Sequence, residues 1–263
     1  MLKKIVQFFV HTPFYPHWLE FRNKIRGNER VIRKFYGKVM ETGCGNADTK
    51  FRALALNKKI TKYVATDYSS WDDLFNDQNK RVRSLGVISE LLYGSVKDAK
   101  HIDKVCSALD LPFGDHTFDV YCSFEVLEHI EDPAGFFREA HRVLKKGGLC
   151  FTTMPFLYRE HGGIAYDFQR FTRGGFMANA KKHGFSIESI FTYGYFGTTI
   201  ACLSNQFIIR KIVEGNWLTK ILVIPFSPFC FFIMNCIGFI IDTIDRDERF
   251  SPYYHVVMKK EST

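Results

Sequence analysis

Apolar positions along this chain follow two rhythms. Solid apolar runs at 37–40, 61–67, 102–107, 118–124, 149–154, 185–192 and 252–259 predict buried strands. Apolar residues returning every third or fourth position predict helices at 18–35, 47–56, 133–144 and 174–182, with less distinct ones at 71–75 and 83–92. Asp132-Pro133 opens one of them, with proline at the first helical position and an aspartate cap before it. Lys145-Lys146-Gly147-Gly148 is expected to close the same helix, with cations at its negative end and glycine for a left-handed cap. Strands alternating with helices predict an α/β fold around a mostly parallel sheet.

Two stretches stand outside that alternation. At the start, Ile5, Phe8 and Phe9 keep helical spacing until Pro13 and Pro16 break it. A basic helix follows, carrying Arg22, Lys24, Arg26, Arg30, Arg33 and Lys34. Such a helix is a solvated layer across the sheet edge, a lid over a site, or a face for anionic lipid. Before the final strand lies an insertion whose segment 221–241 carries no charge and has the length of a bilayer span. A single crossing would strand the last β-segment away from its sheet. The chain must therefore go out and return, with breaks available at Pro225, Pro228, Asn235 and Gly238 and with 195–213 as the partner arm. The expectation is a re-entrant or interfacial hairpin on a membrane, basic residues toward anionic head groups. A helical pair on the body or a dimer interface is the alternative. The resulting division is an N-terminal segment 1–36, a central domain 37–194 with 250–260, and the insertion 195–249.

Composition adds a few limits. The chain has 263 residues and is 46% hydrophobic, which supplies a core and excludes global disorder. A net charge of +8 permits anionic partners, whether nucleic acid, membrane surface or acidic substrate. Seven cysteines include no Cys-x-x-Cys pair and mostly lie in apolar runs, which predicts a reducing, cytosolic setting and no metal site.

The chemistry starts at Glu41-Thr42-Gly43-Cys44-Gly45-Asn46-Ala47-Asp48, between the first strand and its helix. Glycines there allow a tight turn, and the helix that follows aims unpaired N–H groups over the loop. Dinucleotides and S-adenosylmethionine both use such an elbow. A pyrophosphate fingerprint wants glycine where Asp48 stands, and that carboxylate would repel a phosphate. A sulfonium and an ammonium tolerate both Glu41 and Asp48. Asp67, ending the second strand, sits where an acid accepts hydrogen bonds from ribose hydroxyls.

Further along stand Leu111-Pro112-Phe113, Asp115, Phe118-Asp119, Val126-Leu127-Glu128-His129-Ile130 and Arg142-Val143-Leu144-Lys145-Lys146-Gly147-Gly148. With the glycine elbow, in this order, they make the chain similar to the class I S-adenosylmethionine-dependent methyltransferases, within the type 11 group. The resemblance covers about 37–156. It implies a Rossmann-like seven-stranded sheet in the order 3-2-1-4-5-7-6, its last strand antiparallel and helices on both faces, with the apolar insertion before that strand. It implies S-adenosyl-L-methionine as cofactor. Glu41 would help hold the methionine amino group, while Gly43, Cys44 and Gly45 would line the cofactor. Asp67, with Tyr68 beside it, would take the ribose. Ser107 and Ala108 would face the adenine, and Phe124 and Glu125 the reactive end. Ser107 departs from the usual acid, with Asp110 as a substitute, and Ala47 replaces a third loop glycine.

The stretch after the fifth strand, from Tyr158 to Thr172, is expected at the carboxyl edge, where ligands bind in open α/β folds. Tyr158, His161, Tyr166 and Arg170 are its candidate acceptor-binding residues, and His161, Asp167 and His129 are candidate bases for a hydroxyl nucleophile. Alternatively Asp167 and Arg170 pair with each other and Thr172 caps the next helix. Its Tyr166-Asp167-Phe168-Gln169-Arg170-Phe171-Thr172 string resembles family members associated with surface-polysaccharide and glycolipid enzymes. The expected activity is methylation of a hydroxyl on a lipid-linked, glycolipid or quinone-like acceptor, on the inner face of a membrane. The second function class is a non-catalytic protein of the same fold that tethers a partner at a membrane. A nucleic-acid substrate ranks third, because Phe124-Glu125-Val126-Leu127 stands where an Asn-Pro-Pro-Tyr-type string would be needed.

Overall fold

The computed structural model of the chain describes residues 9–45, 47–68, 102–161 and 166–261. Ile5, Phe8, the helices expected at 71–75 and 83–92, and Asn46 lie outside the described residues. Seven strands form one sheet: β1 (Gly37–Thr42), β2 (Ile60–Asp67), β3 (Lys104–Val105), β4 (Phe118–Phe124), β5 (Leu144–Pro155), β6 (Phe185–Phe191) and β7 (Tyr253–Lys260). Their order is β3-β2-β1-β4-β5-β7-β6, as the resemblance implied. The pairs β1–β2, β2–β3, β1–β4 and β4–β5 are parallel, and β7 runs antiparallel between β5 and β6.

Side chains alternate strictly across this sheet, so each central strand feeds two cores. Val39, Val120, Cys122, Phe151 and Val257 point to one face, Met40, Tyr121, Cys150, Val256 and Met258 to the other. Helices α1 (Trp18–Ile32) and α2 (Asp48–Leu56) supply the first face, while α3 (Pro133–Val143) and α4 (Arg173–Lys182) supply the second. Burial on both faces explains why the strands read as unbroken apolar runs.

Several boundaries shift by one to three residues, and two differ in kind. Helix α3 stops at Val143, and Lys145-Lys146-Gly147-Gly148 belongs to β5. Gly147 has φ 72° not as a helix cap but where β5 slips register against β4, Phe118 facing Leu144 and Val120 facing Leu149. The extra residues form a bulge, for which a left-handed glycine serves as well as for a cap. Strand β3 is reduced to Lys104–Val105, because it lies at the sheet edge and pairs with β2 alone.

Helix α1 is a full layer of the fold rather than a solvated overlay. A Cβ on Gly27 would come within 2.1 Å of the His255 ring of β7, so only glycine lets the helix lie this close. His255 stacks on Phe191 at 5.1 Å and bonds Asn28, and burial pushes its pKa down to about 3, which keeps it neutral.

The insertion is an antiparallel hairpin of α5 (Phe196–Glu214), α6 (Trp217–Val223) and α7 (Ser227–Ile244). The uncharged run 221–241 is therefore not one helix, since it breaks around Pro225 between α6 and α7. At the base, Gly197 meets the carbonyl of Gly238, and Asp242 accepts from the Thr198 amide at 3.0 Å and from its hydroxyl. Asn205 donates to the Pro16 carbonyl at 2.7 Å, and Asn235 to those of Pro13 and Tyr15 at 2.8 Å each. At the tip no residue of α6 is buried, and Trp217 is 73% exposed. Helix α7 is long and apolar enough to cross a membrane, yet only 28% of it is buried against the protein.

Candidate active site

The carboxyl ends of β1 and β2 carry the glycine elbow. Gly43, Gly45 and Ala47 all have left-handed backbones, with φ 66°, 52° and 56°. Three such residues in one short loop fold the chain back over the strand ends. Ala47 accepts about 1–2 kcal/mol of strain to do so. At Gly43 a Cβ would lie 2.2 Å from Val126, which brings the loop after β4 against the elbow.

Glu41 and Thr42 are buried at the end of β1, beside Ala65 and Thr66 of β2. The Glu41 carboxyl takes a hydrogen bond from the Tyr63 hydroxyl at 3.0 Å. Burial pushes its pKa up to about 8, against that bond, and the negative Asp67 adds to the rise. Asp67 stands half-buried above it and accepts from the amides of Gly45 and Tyr68, each at 2.8 Å. One bond per oxygen leaves a lone pair on each for hydroxyl donors. Cys44 lies buried beneath the loop, where burial raises its thiol pKa, and its amide donates to the Thr66 carbonyl at 3.0 Å. Tyr68 is exposed at the rim.

Ser107 follows β3, but its hydroxyl accepts from the Leu109 amide at 3.1 Å. Its backbone bridges Asp110, and Ala108 beside it joins the core with Leu111. The place that the resemblance implies for the adenine thus offers a tied hydroxyl where a free carboxylate is usual. The donor set still fits a cationic nucleoside cofactor: a crook of left-handed residues, an acid under it, and a second acid on the next strand.

The other half of the edge is built from β4, β5 and α1. Phe124 ends β4 half-buried, and Glu125 follows with φ 56°, its amide held by the Thr153 hydroxyl at 3.0 Å. A left-handed backbone at a glutamate is a strained turn of the kind found at functional sites. The Glu125 carboxylate meets Lys24 of α1 at 2.7 Å, and Lys24 also bonds Glu20 at 2.7 Å. Its two acids hold the Lys24 pKa well above the usual range despite burial. Glu20 in turn accepts from the Cys202 thiol of α5 at 2.9 Å. A chain of contacts therefore joins the β4 end, α1 and the hairpin. Sequence reasoning placed Lys24 only in a basic helix, since its reach over β4 is a tertiary fact.

Most residues named for the acceptor come together here. His161 lies 3.6 Å from Glu128, and the rings of His129 and His161 meet edge to face at 4.8 Å. Tyr158 packs edge-on against His161 at 5.4 Å, and Lys24 sits 5.6 Å from its ring centre. Tyr166 is half exposed, and its carbonyl accepts from His129 Nδ1. Asp167 and Arg170 form a two-pronged ion pair, and Asp167 also accepts the His161 amide at 2.8 Å. These partners hold the Asp167 carboxyl below its ordinary range and leave it an anchor for the loop rather than a base. Thr172 caps α4 through the Gly175 amide at 3.1 Å, as the alternative reading of this stretch had it. Glu128, buried among these groups, was not singled out beforehand and had no signal beyond its place in the Val126–Ile130 motif.

Residues 40–152 match a family model described as a methyltransferase domain. The chain is 21% identical to the ubiquinone biosynthesis O-methyltransferase of Pseudomonas aeruginosa over 225 residues, 80% of this chain and 84% of that one. It is 26% identical to the 27-O-demethylrifamycin SV methyltransferase of Amycolatopsis mediterranei over 133 residues, 51% of this chain and 44% of that one. Among solved structures, geranyl diphosphate C-methyltransferase from Streptomyces coelicolor superposes with a TM-score of 0.52 at 13% identity, covering 90% of this chain and 77% of that one. The [4+2]-cyclase SpnF does so with 0.53 at 15% identity, over 89% and 81%. The strand order and the elbow agree with the matched model, and residues 40–152 form a methyltransferase domain of the S-adenosylmethionine-dependent kind.

Proposed function

We propose that this enzyme methylates a hydroxyl of a lipid-borne acceptor, quinone-like or glycolipid, at a membrane surface. The observation that carries this reading is the hairpin: its root is polar and locked, its tip apolar and bare. Trp217, Ile221, Leu222, Phe226 and Phe229 are each at least 60% exposed around α6 and the start of α7. A soluble surface gains nothing from such a patch, whereas burial in the head-group boundary is worth about 25 cal/mol per Å² of apolar area. Arg210, Lys211 and Lys220 flank the tip, where they would meet anionic lipid. The Cys202–Glu20–Lys24–Glu125 chain ties the root of this hairpin to the acceptor half of the site. The similarity to quinone O-methyltransferases supports a hydroxyl acceptor.

Glu41, Gly43, Gly45 and Asp67 would hold the cofactor, with Cys44, Tyr68, Ser107, Ala108, Phe124 and Glu125 around it. When bound, the cofactor supplies a methyl group already activated by its sulfonium. The chain then has to hold the acceptor in line and exclude water. Tyr158, Tyr166 and Arg170 border that place. His161 or His129 would take the hydroxyl proton on Nε2, while Asp167 orients His161.

Vesicle flotation tests the membrane part. The chain is expected to float with anionic vesicles, and the triple variant Trp217→Glu, Leu222→Glu, Phe226→Glu to stay behind. Labelled methyl transfer into fractionated membrane lipid should give an O-methyl product. A soluble, vesicle-indifferent protein that methylates no lipid fraction would refute the proposal.

A further inference from the structure

We infer that Glu128, His129 and His161 form a binding site for one divalent transition-metal ion of the zinc type. The three residues come from two places, the turn after β4 and the loop after β5. Their ligand atoms all lie within 4.8 Å of one another. Nε2 of His161 is 3.6 Å and Nε2 of His129 3.9 Å from the same Glu128 oxygen, Oε1. Around an ion bound at about 2.1 Å, tetrahedral donors sit about 3.4 Å apart, so the two Glu128–imidazole distances need to close by a few tenths of an ångström and the remaining pair, within 4.8 Å, by up to about 1.4 Å.

A second, independent observation points the same way. Glu128 is 2% exposed, and among the described residues neither carboxylate oxygen has a hydrogen-bond partner. A buried carboxylate without a partner is costly. A cation between it and the two imidazoles removes that cost.

The outer contacts fix the rings in the ligating form. His129 Nδ1 faces the Tyr166 carbonyl, which can only accept, so the proton is on Nδ1 and Nε2 carries the lone pair. His161 Nδ1 lies 3.4 Å from both Asp167 Oδ2 and Arg170 Nη2. Arg170 Nη2 already spends its two hydrogens on Asp167 and on the Arg159 carbonyl at 3.1 Å. His161 therefore donates from Nδ1 toward Asp167 and presents Nε2 to Glu128. A carbonyl and a carboxylate behind the two imidazoles are the usual supports of metal-bound histidines.

Two nitrogens and one oxygen suit zinc and its first-row neighbours rather than magnesium or calcium, which favour all-oxygen shells. Three protein ligands leave room for an acceptor oxygen. That role rests on the proposed hydroxyl acceptor, whereas ion binding does not. With the ion present the Nε2 lone pairs are spent. The ion then lowers the hydroxyl pKa in their place, the proton leaving to solvent.

The test uses the full chain, stripped with a chelator and titrated with Zn²⁺ alone by calorimetry, then with Co²⁺ followed by its visible bands. One ion per chain is expected, with micromolar or tighter affinity and four- or five-coordinate cobalt bands. Glu128→Gln and His161→Gln should each weaken binding at least tenfold while S-adenosylmethionine still binds, which shows that the fold is intact. If one variant does not fold, the other decides. Absence of binding, or binding that neither variant weakens, overturns the site. Zinc binding without methyl transfer to lipid would leave the site standing and refute the proposed acceptor.

Discussion

Two buried glutamates mark the two halves of the carboxyl edge, and they are kept in opposite ways. Glu41, under the elbow, is held by a neutral donor, the Tyr63 hydroxyl, with its carboxyl pushed up to about 8 by burial. Glu128, beyond β4, is buried as deeply but has imidazoles at 3.6 and 3.9 Å and no hydrogen bond among the described residues. Neighbouring charges differ too. Near Glu41 stand one acid, Asp67, and a more weakly acting cation, Lys50. The β4 half carries both signs, with Lys24 on Glu125 and Arg170 on Asp167. The elbow half thus has two acids that suit a positive ligand, and the β4 half is a wired cluster that holds two imidazoles in place.

The strongest way to break this contrast is Arg170→Ala. It leaves the Asp167 carboxylate, whose side chain is 1% exposed, without its cation, and should cost about 3 kcal/mol of stability. Denaturant unfolding would read the loss, while calorimetry should show the cofactor half still binding S-adenosylmethionine. Equal damage to both halves would mean that they are one unit. Next in size, Asp67→Ala should weaken cofactor binding 10- to 100-fold, the value of about 1.5–3 kcal/mol for hydrogen bonds to a charged group. It should leave zinc binding at Glu128 unchanged.

Acidity sharpens the contrast further. Glu41 must ionise to meet a cationic cofactor, so affinity should fall as pH drops below about 8, by at most about tenfold per unit. The same raised pKa makes protonation favour the folded state. Stability from this group is therefore full at low pH and lost as pH rises from the ordinary 4.5 toward 8. Glu41→Gln should flatten both slopes, as binding and melting measured across pH would show. The smallest effect is expected from Tyr63→Phe. Losing one neutral hydrogen bond costs about 1 kcal/mol and should move the pH midpoint of cofactor binding upward.

The apolar rhythm placed the strands and most helices, because a strand buried on both faces reads as a solid apolar run, while the strand order and the two covering layers were implied by the resemblance to methyltransferases. The elbow, Glu41 and Asp67 were legible for the same reason: left-handed turns demand glycine, and strand ends fall at fixed places. The bulge at Gly147 was not, since a left-handed glycine after a helix looks the same whether it caps the helix or kinks the next strand. Asp167 was read as a possible base because its pairing with Arg170, three residues on, competes with any free role and only coordinates choose between them. The apolar hairpin was legible as an uncharged run that must go out and return, whereas the contacts of Glu128 and Lys24 were decided by tertiary structure. Beside their local neighbours His129 and Glu20, Glu128 and Lys24 meet His161 and Glu125, 33 and 101 residues away in the chain, and local spacing carries no record of those contacts.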